Sequence, residues 1–400
     1  MRFNECSAQK QGVNQKDAQS CEDFLKDITK ENLSNGSYRG YYSNIHWLNM
    51  LYLPDQLIKQ DQTSAQIKTY ISGIGTAAGK SDSAIGMGLG TSILDVFEGV
   101  VTKTDEAMDG IAGELSAFMK RNIQQDFCIA KIQFDVFGFS RGAAAARHFA
   151  NRVMEQDSAI ASAIVKGLRG DFYDGKPSGE VRFLGIFDTV AAIGGISNFF
   201  DINGRSNPRV KLELRPSVAQ KVFQITAMNE YRYNFSLNSI QGMWPELALP
   251  GAHSDIGGGY NPVGSSFQEN ESLFMSCPEF EIVSDDTKET DTRVFRNAEK
   301  ARKMLLSLPA LKHILPHGKV TTKTRSVAVI NGNQSRAGMI QKQVGAAVFF
   351  ERMAIPNDWA NVCLRVMLDA AEEAGVMFAP VDPQNPDTKL SLELMPLADK

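Results

Sequence analysis

A serine with a glycine two residues away on each side, Gly138-Phe139-Ser140-Arg141-Gly142, lies between a strand-like run and an alanine-rich stretch. The run Ala130 to Phe137 carries Ile132, Phe134, Val136 and Phe137. The stretch Gly142-Ala143-Ala144-Ala145-Ala146-Arg147-His148-Phe149-Ala150 reads as a helix beginning around Arg141. A serine in such a strand-to-helix turn takes a strained backbone angle, the glycines let strand and helix approach, and the hydroxyl projects above the sheet edge. That is a nucleophile elbow, and its chemistry is attack on a carbonyl carbon.

A serine hydroxyl is a poor nucleophile at neutral pH and needs a base to take its proton and an acid to orient that base. The chain has five histidines. His46 falls in an early helix candidate, His148 on the helix after the elbow, and His313 and His317 before the late strands. His253 follows a short strand, Leu247 to Pro250, and opens the glycine-rich turn Gly251-Ala252-His253-Ser254-Asp255-Ile256-Gly257-Gly258-Gly259-Tyr260. Such a turn can carry a histidine over a sheet edge, so His253 is the expected base. Asp188 follows the apolar run Phe183 to Phe187 and stands at a strand's carboxyl end, where open α/β sheets bind ligands. The order Ser140, Asp188, His253 is the chain order of α/β-hydrolases.

Each assignment has a plainer competitor. Asp188 could cap a turn, with Thr189 bonding locally. Asp255 is the rival acid, but two residues from His253 it is better suited to bracing the glycine turn. Asp135 reads as structural, facing a neighbouring element or pairing with Arg147, and His148 as a packed or surface helix residue. Cys128 has no local histidine and reads as a small buried apolar residue. Gly86-Met87-Gly88-Leu89-Gly90 lacks the lysine and spacing of a phosphate loop, so no nucleotide site is expected. An oxyanion hole needs two backbone donors. The amide of Arg141, directly after the serine, is one candidate, and the sequence does not locate the second.

The elements that must position these residues alternate strands with helices, which indicates an α/β fold with a mostly parallel central sheet flanked by helices. Helices are expected at Asn44 to Leu53, Ile93 to about Ile123, Asn297 to Leu308 and Asp358 to Ala374, and strands at Ile67 to Ile71 and Val181 to Phe187. Gln220 to Tyr233 begins like a strand and ends like a helix. Residues 1–40 read as a polar arm with a short helix around Cys21 to Ile28. The catalytic domain is expected over 41–379 with a polar, acidic surface insertion near 265–292, and 380–400 as an irregular tail. Ile193, Ile196, Phe199 and Phe200 after Asp188, and Ile85, Met87 and Leu89 among the glycines, either pack in the core or form apolar surface or a lid beside the site.

A net charge of −4 leaves no electrostatic case for nucleic acid, and no basic cluster suggests long-range attraction to an anionic membrane. The five scattered cysteines, odd in number and without Cys-x-x-Cys, argue against zinc and a disulfide framework and fit a reducing cytosol. No stretch reaches the ~18 apolar residues of a membrane span. The polar start Met1-Arg2-Phe3-Asn4-Glu5 lacks a signal peptide's apolar core, so export by the general secretory route is not expected. No cofactor or metal is implied.

With these residues in hand, the chain resembles the α/β-hydrolase phospholipase effectors of the bacterial type VI secretion system. The resemblance rests on Phe137-Gly138-Phe139-Ser140-Arg141-Gly142-Ala143-Ala144, on Gly185-Ile186-Phe187-Asp188-Thr189-Val190, and on Pro250 to Tyr260. Weaker matches are Tyr70 to Thr76 with the glycine segment to Thr91, and Asn229-Glu230-Tyr231-Arg232. The resemblance implies hydrolysis of glycerophospholipid esters, toxicity to neighbouring bacteria, and delivery from the producer's cytoplasm through the secretion needle into the target periplasm. It implies as partners membrane phospholipid, a secretion-apparatus component and an immunity protein. By motif, Ser140 is the nucleophile, Asp188 the acid and His253 the base. The usual opening strand running into Phe-Asp-Gly-Thr has no counterpart before Tyr41. That departure keeps open a catalytically impaired relative acting by binding, and an esterase or peptidase on soluble substrates is a third reading.

Overall fold

Four apolar runs become the strands of one parallel sheet: β1 Gln133–Phe139, β2 Glu180–Phe187, β3 Lys221–Ala227 and β4 Glu246–Leu249, in that spatial order. The computed structural model describes residues 41–59, 62–73, 93–125, 127–168, 173–190, 210–230, 235–260, 262, 271–276, 279–312, 315–328, 341–352 and 356–398. The polar arm at 1–40 and the glycine segment at 74–92 lie outside them.

Because side chains alternate along a strand, β2 feeds two cores. Leu184 and Ile186 point to one face, and Phe183 and Phe187 to the other. The first face is covered by α2 Ile93–Arg121, α3 Arg141–Met154 and α4 Ser158–Leu168. The second is covered by α1 Asn44–Leu51, the short α5 His253–Gly257 and α7 Trp359–Glu372, through Trp47, Leu48, Ile256, Leu364 and Met367. The sheet is therefore parallel and helix-covered on both faces, as the alternation implied. A register shift between Phe134 and Asp135 in β1 leaves Arg182 of β2 as the extra residue. Its guanidinium bonds the buried Asp135 carboxylate at 2.8 and 2.6 Å. Asp135 is structural, but its partners are Arg182 and Tyr52 rather than Arg147.

A second, antiparallel sheet was not foreseen. Its central strand β8 Gln341–Arg352 pairs along its length with β7 Gly318–Ala328, and its other edge takes β5 Glu271–Phe274 and β6 Glu279–Ser284. The helix α6 Arg293–Ser307 packs on it through Val294, Ala298 and Leu305. Part of the stretch 265–292, expected as a surface insertion, is thus strand. Its acids serve as acceptors: Glu281 takes the N–H groups of Arg293 and Val294 at the start of α6, and Glu279 takes the Asn297 amide. Residues 67–71 form no strand. The buried Gln66 amide instead ties that segment to Leu53 and Met377. The C-terminal stretch is irregular except for α8 Met395–Ala398, and it is bound to α7 through Asn361.

The helix α3 has two working faces. Ala143, Ala146 and Ala150 are buried against the sheet, and their small side chains let α3 lie close to it. The polar face holds an extended segment. Arg147 Nε donates to Leu212 O at 2.9 Å, Asn151 Nδ2 to Lys211 O and Glu213 O, and the Lys211 N–H donates to His148 Nδ1 at 3.1 Å. Burial, reinforced by the Arg152 and Lys211 cations and only partly opposed by Asp105 and Asp157, pulls the His148 imidazole from 6.5 down to about 4.

Two outcomes are expected. A Cβ at Gly138 would lie 2.5 Å from the Gly142 carbonyl oxygen and 2.7 Å from the Ala143 Cα, both backbone of α3. Gly138→Ala should therefore lose about 2 kcal/mol or more in urea unfolding. Gly142→Ala, with nothing within 4 Å, should stay within about 0.5 kcal/mol of the parent. His148 stays neutral in the fold down to about pH 4, whereas the unfolded chain binds its proton near 6.5. Stability should fall as pH drops through that window, by at most about 3 kcal/mol, and His148→Gln should flatten the decline.

Candidate active site

The turn after β1 holds Ser140 at φ 58° and ψ −125°, a left-handed conformation that an ordinary residue enters only under constraint. The constraint is bonding on both sides. The Ser140 N–H donates to Phe187 O at 3.1 Å, and its carbonyl accepts from the N–H groups of Ala143, Ala144 and Val190. Arg141 opens α3 immediately afterwards, so its amide belongs to the first turn of a 14-residue helix, where N–H groups lack intrahelical acceptors.

Phe139 pairs with Phe187 across β1 and β2, so Ser140 and Asp188 leave neighbouring strands at the same level. Asp188 also has positive φ, 38°, and is 3% exposed. Its N–H donates to Ile225 O at 2.7 Å, which prolongs the β2–β3 pairing past the strand end. Both carboxylate oxygens are engaged. Oδ1 accepts the Ala227 N–H at 2.9 Å, and Oδ2 lies 2.6 Å from His253 Nδ1.

His253 is 4% exposed and stands first in α5. Its ring lies 4.4 Å from the ring of Phe139, the residue before Ser140, and 4.9 Å edge-on from Phe235. Gly257 closes α5 against the Phe139 ring, where an added Cβ would come within 2.1 Å. Asp255 accepts the Ala252 N–H at 2.8 Å, the bracing role expected of it in place of a catalytic one. Behind the acid, the buried Gln224 accepts from Thr189 Oγ1 and donates to Glu246 Oε2 and Asn238 O. Arg147 donates to the same Asn238 carbonyl at 2.9 Å, and burial draws its guanidinium down to about 10.

The structure thus brings Ser140, Arg141, Asp188 and His253 to the carboxyl end of one parallel sheet. His148 lies on α3 facing residues 211–213, and His46 stacks on Tyr42. Cys128 is exposed rather than buried, since it lies in the irregular stretch before β1. Cys363 is buried, its thiol pushed up to about 12 by desolvation and by Asp255. The apolar candidates at 85–89 and 193–200 fall outside the described residues. Sequence reasoning missed the supporting contacts: the Ala227 amide on Asp188, the Glu230 carboxylate on the His253 N–H at 3.1 Å, and the Phe235 ring. The only sequence signal for them was Asn229-Glu230 directly after a strand end. Among the described residues no His/Cys/Asp/Glu group is arranged to hold a metal, and no helix is long and apolar enough to cross a membrane.

Residues 168–276 match the family described as the catalytic domain of Tle1-like phospholipase effectors of the type VI secretion system. That span contains Asp188 and His253. No curated protein sequence matches the chain. An uncharacterized protein from Pseudomonas aeruginosa is 25% identical over 41% of this chain and 24% of its own, but its TM-score of 0.22 gives it no weight. A solved structure described as the Tle1 effector bound to the VgrG spike from the type 6 secretion system is 80% identical, with a TM-score of 0.72. The match covers 99% of this chain and 73% of that one. With that identity sustained over nearly the whole length, this chain belongs to the Tle1-like phospholipase effectors of type VI secretion.

Proposed function

We propose that the chain is a serine esterase of phospholipase A type, cleaving fatty-acyl esters of membrane glycerophospholipids. The observation that carries this reading is the buried 2.6 Å contact between Asp188 Oδ2 and His253 Nδ1 beside the left-handed turn of Ser140. With Nδ1–H bonded to the carboxylate, the lone pair of the imidazole resides on Nε2. His253 then takes the Ser140 proton as Oγ attacks the ester carbonyl, and Asp188 stabilises the imidazolium. The Arg141 amide donates to the oxyanion. Collapse expels the lysophospholipid as its alkoxide takes the proton from His253. Water, deprotonated by the same imidazole, releases the fatty acid and restores Ser140.

The relative at 80% identity, bound to a VgrG spike, supports a delivery route. We infer that this chain also rides a VgrG spike out of the producer's cytoplasm into the periplasm of the target cell, where phospholipid is at hand.

Ser140→Ala should abolish labelling by a fluorophosphonate and lower release of fatty acid and lysophospholipid from vesicles by about a thousandfold or more. Labelling or release that survives the substitution would end the esterase reading. Co-expression with a VgrG spike protein from the same bacterium should give a complex that co-elutes in size exclusion, whereas separate elution would count against spike loading.

A further inference from the structure

The segment Ala227–Glu230, which starts at the last residue of β3, touches both the acid and the base. The Ala227 N–H donates to Asp188 Oδ1 at 2.9 Å. The Met228 N–H donates to Leu249 O at 2.9 Å, carrying the β3–β4 pairing one step past the end of β3. Asn229 then makes a two-way clasp: its N–H donates to Gly251 O, and its Oδ1 accepts the Gly251 N–H, each at 2.9 Å. Gly251 has φ 115°, so this clasp holds the backbone where the chain turns from β4 toward His253. Last, Glu230 Oε2 accepts the His253 N–H at 3.1 Å.

We propose that Asn229 and Glu230 are positioning residues that set the distance between Asp188 and His253. The proposal rests on the triad reading above. The acid's carboxylate and the base's backbone are both bonded to one four-residue stretch, so movement of either relative to that stretch changes the 2.6 Å contact directly. A carboxylate near the first N–H groups of a helix turn is also electrostatically favourable. Glu230 therefore acts through the backbone of His253.

The test uses the full chain with p-nitrophenyl butyrate, a soluble ester that makes no demand on lipid docking. Asn229→Ala and Glu230→Ala are measured separately, so one misfolded variant does not remove the test. Each should lower kcat about tenfold or more while KM stays within about twofold, because misplacement of a catalytic group affects the chemical step. The acidic limb of kcat/KM should move to lower pH as the acid–base contact loosens. The downfield proton resonance of the His253 Nδ1–H should weaken. Glu230→Gln keeps an oxygen acceptor for the His253 N–H and should recover most of kcat. Alanine variants that turn over within about twofold of the parent, or a glutamine variant no better than alanine, would overturn the proposal. Ser140→Ala in the same assay separates the two levels. Undiminished turnover there would overturn the triad itself, whereas its loss beside unaffected Asn229 and Glu230 variants overturns only this inference.

Discussion

Strands β1 and β2 end in step, Phe139 opposite Phe187, and the chain leaves both ends through a residue with positive φ. Two left-handed non-glycine residues side by side cost of order 1–3 kcal/mol each. The sheet holds them by continuing to bond beyond its formal ends. Ser140 donates to Phe187, Asp188 donates to Ile225, and Val190 returns a bond to Ser140. A one-residue slip between these strands would exchange the two faces of β2, setting Leu184 and Ile186 where Phe183 and Phe187 now pack. The two-sided core therefore enforces the register, and the register places the serine beside the aspartate.

The pairing of Asp188 with His253 is buried on both sides, which makes its hydrogen bonds a requirement. A carboxylate at 3% exposure has lost nearly all its water, and leaving either oxygen without a donor would cost several kcal/mol. One oxygen is supplied by a strand amide and the other by the imidazole. The histidine is in turn fenced by Phe139 and Phe235, so its ring has little freedom to swing away from the acid. Phe139 is the variable position inside the serine turn, and Gly257 is the residue that allows its ring in. The small and large residues of two distant motifs are thus matched to each other in space.

Much of this was legible before any coordinates. Ser140, Asp188 and His253 each follow an apolar run, and a strand end followed by a special turn is a strong local signal. The helices α2 and α7 were expected within a few residues of their observed bounds. The second sheet was hidden because β6 alternates acidic with apolar residues, and the same acids read equally well as a solvated loop. Only α6, packed against that strand, shows that Glu281 caps a helix and Glu279 holds Asn297. Residues 67–71 misled in the opposite direction. An Ile-Lys-Thr-Tyr-Ile alternation suits a strand, but the segment before it is held by the side chain of Gln66, and no ladder forms. Contacts such as Ala227 N–H to Asp188 were out of reach because backbone donors leave no mark on residue type.

Burying Arg147 is costly, as its depressed guanidinium shows, and the cost needs a structural counterpart. Its two bonds go to Leu212 O and Asn238 O. Asn238 in turn donates its N–H to Thr189 O, and the side chain of Thr189 closes on Gln224. Arg147 thus reaches, through one carbonyl, the residue directly after the acid. It lies two turns along the same helix whose first residue follows Ser140, so a rigid element of 14 residues connects both. The planar fork of an arginine can serve two carbonyls in different directions, which a lysine's single ammonium would do less rigidly. The serine and the aspartate are therefore coupled twice, once through the strand register in front of them and once through α3 behind, and the second coupling requires a buried cation that no apolar residue could replace.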